Sequence, residues 1–369
     1  MSVPFFDITR QNRALEEELN AAIIEVASSG RYILGKTVEE FEKHLAQYCG
    51  CKFAIGVASG TDALHLSLKA AGVGPGDEVI TSPFTFVATA EAIAYCGAKP
   101  VFCDIQPKTF NLDPARIESK LSKKTKAILP VHLYGLPCDM GRIMEIARKN
   151  QLSVVEDCAQ AIGAEFDGKK AGAIGDAGCF SFFPTKNLGC FGDGGAITTN
   201  SEQIRDDLLA LRNHGSRKTY HYDMIGHNSR LDALQAAILS VKMPSLDVFS
   251  DKRANNAKIY DEQLSDLKEI SLPSIPSNAK HVLNQYTIRV QKGRDDLFGY
   301  LKDKNIGAMV YYPLSLHLQT AFTSLGHKPG DFPQSEAAQN EVLSLPIFPE
   351  LTEAEIKESC STIRNFFKK

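Results

Sequence analysis

Between Phe53 and Asn200 the chain alternates short apolar runs with amphipathic stretches, a pattern that narrows its possible folds sharply. The runs predict strands over Phe53–Val57, Glu78–Thr81, Pro100–Cys103, Lys126–Val131, Ser153–Glu156, Gly178–Phe183 and Ala196–Thr199. Helices are predicted between them over Asp62–Ala71, Val87–Tyr95, Pro114–Leu121 and Asp139–Lys149. Ala127-Ile128-Leu129-Pro130-Val131 and Ser153-Val154-Val155-Glu156 lack the period-two alternation of a half-exposed strand. They suit strands covered on both faces, the environment of a parallel sheet between helices. The expected fold class is therefore α/β, a large domain with a mostly parallel central sheet flanked by helices. In such sheets ligands sit beyond the carboxyl ends of the strands.

After Asn200 the pattern turns helical, over Glu202–Arg212, Arg230–Lys242 and Asp251–Leu267. Pro244 should interrupt the run, which makes Met243–Asp251 a hinge. Leu272–Ala279 is rich in Pro and Ser and reads as a loop, followed by a strand over Gln285–Val290 and a helix over Arg294–Lys304. A chain of 369 residues exceeds one ordinary core. The expected division is a large domain at 1–245 and a small α+β domain at 246–369.

A net charge of −3 with no basic stripe excludes a nucleic-acid footprint and leaves small molecules or copies of the chain as partners. The nine cysteines are odd in number and form no C-x-x-C pair, so neither a disulfide framework nor a metal site is expected. A reducing cytoplasm fits that usage. The first eighteen residues lack the basic and apolar regions of a signal peptide, and no apolar run is long enough to span a membrane.

Three segments carry chemistry. Ser59-Gly60-Thr61-Asp62 lies between a strand and a helix, where free amides and the helix dipole converge on one point. It can cradle a phosphate or act as a plain N-cap. In Val154-Val155-Glu156-Asp157-Cys158-Ala159-Gln160, Asp157 ends a buried strand, where an unpaired carboxylate is costly. It can cap a helix or face a cationic partner such as a pyridinium N–H. In Ser181-Phe182-Phe183-Pro184-Thr185-Lys186, a strand ends in a turn presenting one lysine among aromatics and glycines, and Gly192-Asp193-Gly194-Gly195 returns the chain. Dehydration lowers a lysine pKa, as an amine nucleophile requires.

Together these motifs, from Tyr32-Ile33-Leu34-Gly35 to Tyr312-Pro313-Leu314, resemble the DegT/DnrJ/EryC1/StrS family of pyridoxal-phosphate (PLP) sugar aminotransferases, which have the aspartate-aminotransferase fold. The resemblance implies that Lys186 holds PLP as a Schiff base and moves the substrate proton. It implies that Asp157 pairs with the ring nitrogen, Gln160 meets the ring's 3-oxygen and Phe86 stacks on the ring. Gly60, Thr61 and Ser181 would bind the phosphate, completed by Asn228 from a second subunit, so a homodimer with shared sites is expected. Arg230 could clamp the carboxylate of L-glutamate or pair locally at its helix start. Arg31, Tyr32, Tyr311, Tyr312 and His317 are the expected contacts to substrate. The family often carries His where Tyr311 stands, a departure that bears on the sugar contacts and not on the chemistry.

The implied reaction moves an amino group from glutamate to a nucleotide-linked keto sugar. The motif combination is most similar to the branch acting at C3, on UDP-2-acetamido-2-deoxy-3-oxo sugars or the glucuronate form, for lipopolysaccharide or O-antigen. A dTDP-3-oxo-6-deoxyhexose is the rival substrate and a 4-keto sugar a further one. Among other classes, a dehydratase of this family would carry His at the Schiff-base position, where Lys186 stands. A non-catalytic sensor would be expected to lose Lys186 or Asp157. A Rossmann nucleotide binder lacks its G-x-G-x-x-G after the first strand.

Overall fold

The structure is a computed structural model and describes residues 2–368. All seven strands expected before Asn200 form, with ends shifted by a few residues. They are β1 Phe53–Val57, β2 Glu78–Thr81, β3 Lys99–Phe102, β4 Thr125–Ile128, β5 Ser153–Asp157, β6 Ala177–Ser181 and β7 Gly195–Thr199. They build one sheet in the order β1-β7-β6-β5-β4-β2-β3. Only β7 runs against its neighbours, pairing antiparallel with β1 and β6, while the other pairs are parallel. Every residue of β7 and all but one of β1, β5 and β6 are buried, which explains the missing alternation in their sequences.

The differences from the sequence reading lie at element ends. β6 ends at Ser181, although the Phe182 amide still donates to Gly194 O at 2.8 Å in the same antiparallel register before the chain turns away. The helix expected over Pro114–Leu121 is α-helical only to Ile117 and tightens into a 3₁₀ turn at Glu118–Lys120. The helix expected from Arg230 starts at Ala233, since Asp232 first bridges to Ile33. Pro244 sits in a 3₁₀ turn, Met243–Ser245, and the next helix already begins at Leu246. Three N-terminal helices, Ile8–Ala14, Glu16–Ser29 and Lys36–Cys49, were not among the expectations. In the last of them Val38, Phe41, Leu45, Ala46 and Cys49 share one face. Phe41 meets Phe182 edge-on at 5.5 Å there, tying this helix to the turn that follows β6.

A second hydrophobic cluster lies downstream, on an antiparallel sheet of β8 Ile270–Ser271, β9 Tyr286–Val290 and β10 Val342–Leu345. Tyr260 stacks on Tyr286 at 4.8 Å, and Leu297, Leu301, Ile356 and Ile363 close the cluster. Val3 joins it from the N-terminus through paired hydrogen bonds to the Asn305–Gly307 segment. On this basis we propose a division at 245/246, with the N-terminal segment packing across to the smaller unit. All nine cysteines are free thiols. No helix among the described residues is long and apolar enough to cross a membrane.

One close approach holds the middle of the large sheet together. A Cβ on Gly178 in β6 would lie 2.2 Å from Gly172 Cα, so the 172–175 loop can cross β6 only over a glycine. That loop gives the amides of Gly172, Ile174 and Gly175 to the buried Glu156 carboxylate. Gly178→Ala should therefore cost at least the ~1–3 kcal/mol typical of overpacking. A denaturant-unfolding midpoint equal to that of the wild type would contradict this account of the loop.

Candidate active site

The carboxyl ends of the parallel strands converge on a cavity of about 640 Å³. Each functional side chain reaches it because a strand ends there. β1 delivers Ser59, Gly60 and Thr61, and β5 delivers Asp157 and, two and three residues past its end, Ala159 and Gln160. β6 delivers Ser181 and then the turn that carries Lys186. Phe86 follows β2, and Tyr311 and Tyr312 close the cavity from the smaller unit. Nine residues proposed from the sequence are thus brought together: Gly60, Thr61, Phe86, Asp157, Gln160, Ser181, Lys186, Tyr311 and Tyr312.

Ser59 caps the helix Gly60–Ala70 by accepting from the Asp62 amide at 3.1 Å. The amides of Gly60 and Thr61 belong to its first turn, where no intrahelical acceptor exists. A Cβ on Gly60 would stand 2.6 Å from Ser181 Cβ, so glycine is what lets this turn close on Ser181. The N-cap and the phosphate cradle, alternatives in the sequence, do not compete, because the Ser59 cap takes the Asp62 amide and not those of Gly60 and Thr61, which line the cavity.

Asp157 is 5% exposed. Its Oδ1 accepts from the Ala159 amide at 3.1 Å and its Oδ2 from Thr89 Oγ1 at 2.9 Å. Burial pushes its pKa up, opposed by those two donors and by the charge of Lys186. Burial lowers the Lys186 pKa to about 8, with Asp157 pulling the other way. The Lys186 amide donates to Phe183 O at 2.8 Å, closing the turn that presents the side chain. Gln160 Oε1 accepts from the Tyr134 amide at 2.5 Å, which leaves its Nε2 directed at Tyr312 Oη, 3.3 Å away, and at the cavity. Burial holds the Tyr312 phenol protonated.

Other expected residues lie elsewhere. Asn228 and Arg230 line a second cavity of about 370 Å³, which shares only Asp193 with the first. Arg230 Nη1 donates to Asn213 Oδ1 at 3.1 Å. Arg31 and Tyr32 are exposed and line neither cavity, and Tyr32 Oη donates to Ala27 O. His317, expected to touch substrate, is 2% exposed and lies outside both cavities, 3.1 Å from Glu336 Oε1 and packed on Phe332. A 3₁₀ turn at Leu316–Leu318 directs it into the core.

Sequence reasoning missed Thr85 and Thr89, whose only signal was two hydroxyls four residues apart across the start of the helix Val87–Tyr95. It also missed the buried pair His132–Glu156, 2.9 Å apart. With Cys158 these two form a cluster of possible metal ligands. The Glu156 oxygens, however, already accept from three backbone amides as well as His132, and His132 Nδ1 accepts from the Cys138 amide. Protein donors fill the cluster.

Comparison with known proteins places the chain. The model of the DegT/DnrJ/EryC1/StrS aminotransferase family matches residues 13–364. The chain belongs to that family. It is 49% identical, over all of this chain and 99% of the relative, to a pleiotropic regulatory protein of Geobacillus stearothermophilus. It is 44% identical to the UDP-N-acetyl-3-dehydro-alpha-D-glucosamine 3-aminotransferase of Acidithiobacillus ferrooxidans, over 98% of this chain and 97% of that one. It is also 44% identical to the dTDP-3-amino-3,6-dideoxy-alpha-D-galactopyranose transaminase of Aneurinibacillus thermoaerophilus, over 99% of each. The crystal structure of S. venezuelae DesV in complex with a ketimine intermediate superposes with a TM-score of 0.97 at 40% identity, covering 100% of this chain and 99% of that one.

As a DegT/DnrJ/EryC1/StrS aminotransferase the protein is an enzyme, and its cofactor is PLP. The cavity fits that group. It has helix-terminal amides for a phosphate, a buried carboxylate for a ring N–H and a lysine whose amine is part neutral near pH 8.

The lysine leaves a signature on the cofactor-free protein. Below about pH 8 Lys186 is charged in both folded and unfolded states, and folding carries the full cost of burying the charge. Between about 8 and the ordinary value of 10.5 the unfolded chain holds more protons, so the cost fades as pH rises. Cofactor-free Lys186→Met should be the more stable protein at pH 7, with the gap closing toward pH 10.5. Paired thermal melts across that range check it, and a constant gap would contradict it.

Proposed function

We propose that the protein transfers the amino group of L-glutamate to the 3-keto group of a nucleotide-linked sugar. The preferred acceptor is a UDP-2-acetamido-2-deoxy-3-oxo sugar or its glucuronate, in the supply of surface polysaccharide or lipopolysaccharide. The observation that carries the reading is the convergence of Lys186, Asp157 and the Gly60–Thr61 turn on one cavity. PLP, when bound, supplies an electron sink that stabilises negative charge on the substrate carbon.

The chain's residues do the rest. Lys186 Nζ would hold the cofactor and, as a free amine, would take the proton from the substrate carbon and return it at the other end of the reacting system. Its lowered pKa suits both tasks. Asp157 keeps the ring nitrogen protonated, and opposite charges at such range shift pKa values by roughly 1–3 units. The Gly60 and Thr61 amides and the Ser181 hydroxyl receive the phosphate, and Phe86 and Gln160 hold the ring. Phe86 is 57% exposed at the cavity mouth, where a bound ring would cover it.

Asn228 and Arg230 stand apart from the cavity, which supports their acting on the site of a second copy in a homodimer, Asn228 at the phosphate and Arg230 at the donor carboxylate. Tyr311, Tyr312 and the Arg31–Tyr32 loop are the proposed contacts to the sugar. The thiol content and the absence of a spanning helix among the described residues support a cytoplasmic setting.

The dTDP reading has equal support, because a dTDP-sugar transaminase matches at 44% just as a UDP-sugar enzyme does. A non-catalytic, PLP-binding regulator has the names of two relatives in its favour, a pleiotropic regulatory protein and a sensory transduction protein. Retention of both Lys186 and Asp157 favours the enzyme. Purified protein should be yellow, and glutamate should bleach it by a half-reaction. Borohydride should fix the cofactor on Lys186, and Lys186→Ala should lose essentially all turnover. Offered candidate UDP- and dTDP-3-amino sugars with 2-oxoglutarate, the enzyme should consume a UDP-linked one fastest under the first reading and a dTDP-linked one under the second. Protein that binds PLP yet never bleaches with glutamate would establish the regulator instead.

A further inference from the structure

Asp157 is held from behind by a directed chain of hydroxyls. Thr89, on the helix Val87–Tyr95 that follows β2, is 1% exposed, and Thr85 is 2% exposed. Thr89 Oγ1 lies 2.9 Å from Asp157 Oδ2, and Thr85 Oγ1 lies 3.0 Å from Thr89 Oγ1. An ionised carboxylate only accepts, so the single proton of Thr89 goes to Asp157. Thr85 must then donate to Thr89, and the three groups are polarised in one direction. In a helix a threonine hydroxyl commonly bonds a backbone carbonyl one turn back. Here the residue four positions back offers its hydroxyl instead, and the helix gives its own away to β5.

The count of lone pairs completes the picture. A carboxylate has about four acceptor sites. In Asp157 one on each oxygen is taken, Oδ1 by the Ala159 amide and Oδ2 by Thr89. The carboxylate itself, with Thr85 and Thr89, lines the cavity, so its remaining sites are open to a donor there. The charge of Lys186 acts to keep Asp157 ionised and burial opposes it, and His132 is the other titratable group that bears on it. The Tyr312 phenol, the Glu156 carboxylate and the thiols of Cys158 and Cys179 stand nearby.

We infer that Thr89, backed by Thr85, is a positioning residue that keeps Asp157 ionised and aims its open lone pairs at the ring nitrogen of the cofactor. The inference rests on the reading of Asp157 as the ring-nitrogen partner. It names residues outside the lysine, carboxylate and phosphate motifs, and it explains two buried hydroxyls, one on the helix Val87–Tyr95 and one just before it. Valine at position 89 keeps the branched shape and removes only the hydroxyl, whereas serine keeps the hydroxyl and removes a methyl.

The test compares Thr89→Val, Thr89→Ser, Thr85→Val and Asp157→Asn with the wild type. It reads the PLP dissociation constant by absorbance titration, the melting temperature of each cofactor-free protein, and kcat. Thr89→Val should weaken PLP binding about tenfold, equivalent to about 1.4 kcal/mol, and lower kcat. Thr89→Ser should bind PLP nearly as the wild type does, and Thr85→Val should shift binding in the same direction by less. Wild-type PLP affinity in Thr89→Val overturns the inference. So does a Thr89→Ser protein as impaired as Thr89→Val, because packing would then explain both. Asp157→Asn separates the two levels. If it loses PLP affinity while Thr89→Val does not, the hydroxyl chain alone is wrong. If it binds PLP like the wild type, the role given to Asp157 fails and the inference fails with it.

Discussion

A carboxylate kept charged inside the protein is the constraint from which the rest of this architecture follows. Removing a carboxylate from water costs several kcal/mol even after relaxation, so it persists only where donors surround it. β5 ends in two such groups, Glu156 and Asp157, and the pleat sends them to opposite faces of the sheet. Glu156 meets His132 and three loop amides and is saturated within the protein. Burial alone would raise its pKa, and those partners more than offset this. Asp157 keeps acceptor sites toward the cavity. One acid is structural and its neighbour is available, and the choice is made by which face each side chain points to.

The same division of labour appears around Lys186. The turn carrying it is tied down by residues that never reach the cavity. Lys242, 1% exposed, donates to Gly189 O at 3.0 Å and lies 4.8 Å over the Phe191 ring. Asn187 donates to Val282 O and accepts from Asn284 Nδ2, fastening the turn to the chain just before β9. A second buried ammonium thus braces the loop on one side and an amide pair braces it on the other. The reactive amine rides on a rigid mount, as positioning chemistry requires.

Much of the cavity was legible in the linear order of residues because its parts are local. A strand end, a glycine turn and a helix start within a few residues determine where Gly60 or Lys186 must sit. The smaller unit was harder to read. Its strands are short, β8 having two residues, and its core borrows Val3 from the opposite end of the chain. His317 shows the limit well. A histidine near Tyr311 and Tyr312 in sequence looked like a site residue, but one 3₁₀ turn sends it into the core beside Phe332.

The sequence by itself determined the parallel sheet and the edge where its strands end, because apolar period and turn chemistry act over a few residues, while the resemblance of its motifs pointed to the family and to Lys186 and Asp157. Only the tertiary structure decided that Thr89 backs Asp157, that Glu156 is sealed by the 172–175 loop and that Asn228 and Arg230 occupy a separate cavity. Thr89 and Asp157 are 68 positions apart. No local pattern specifies which hydroxyl will face which carboxylate once two elements pack.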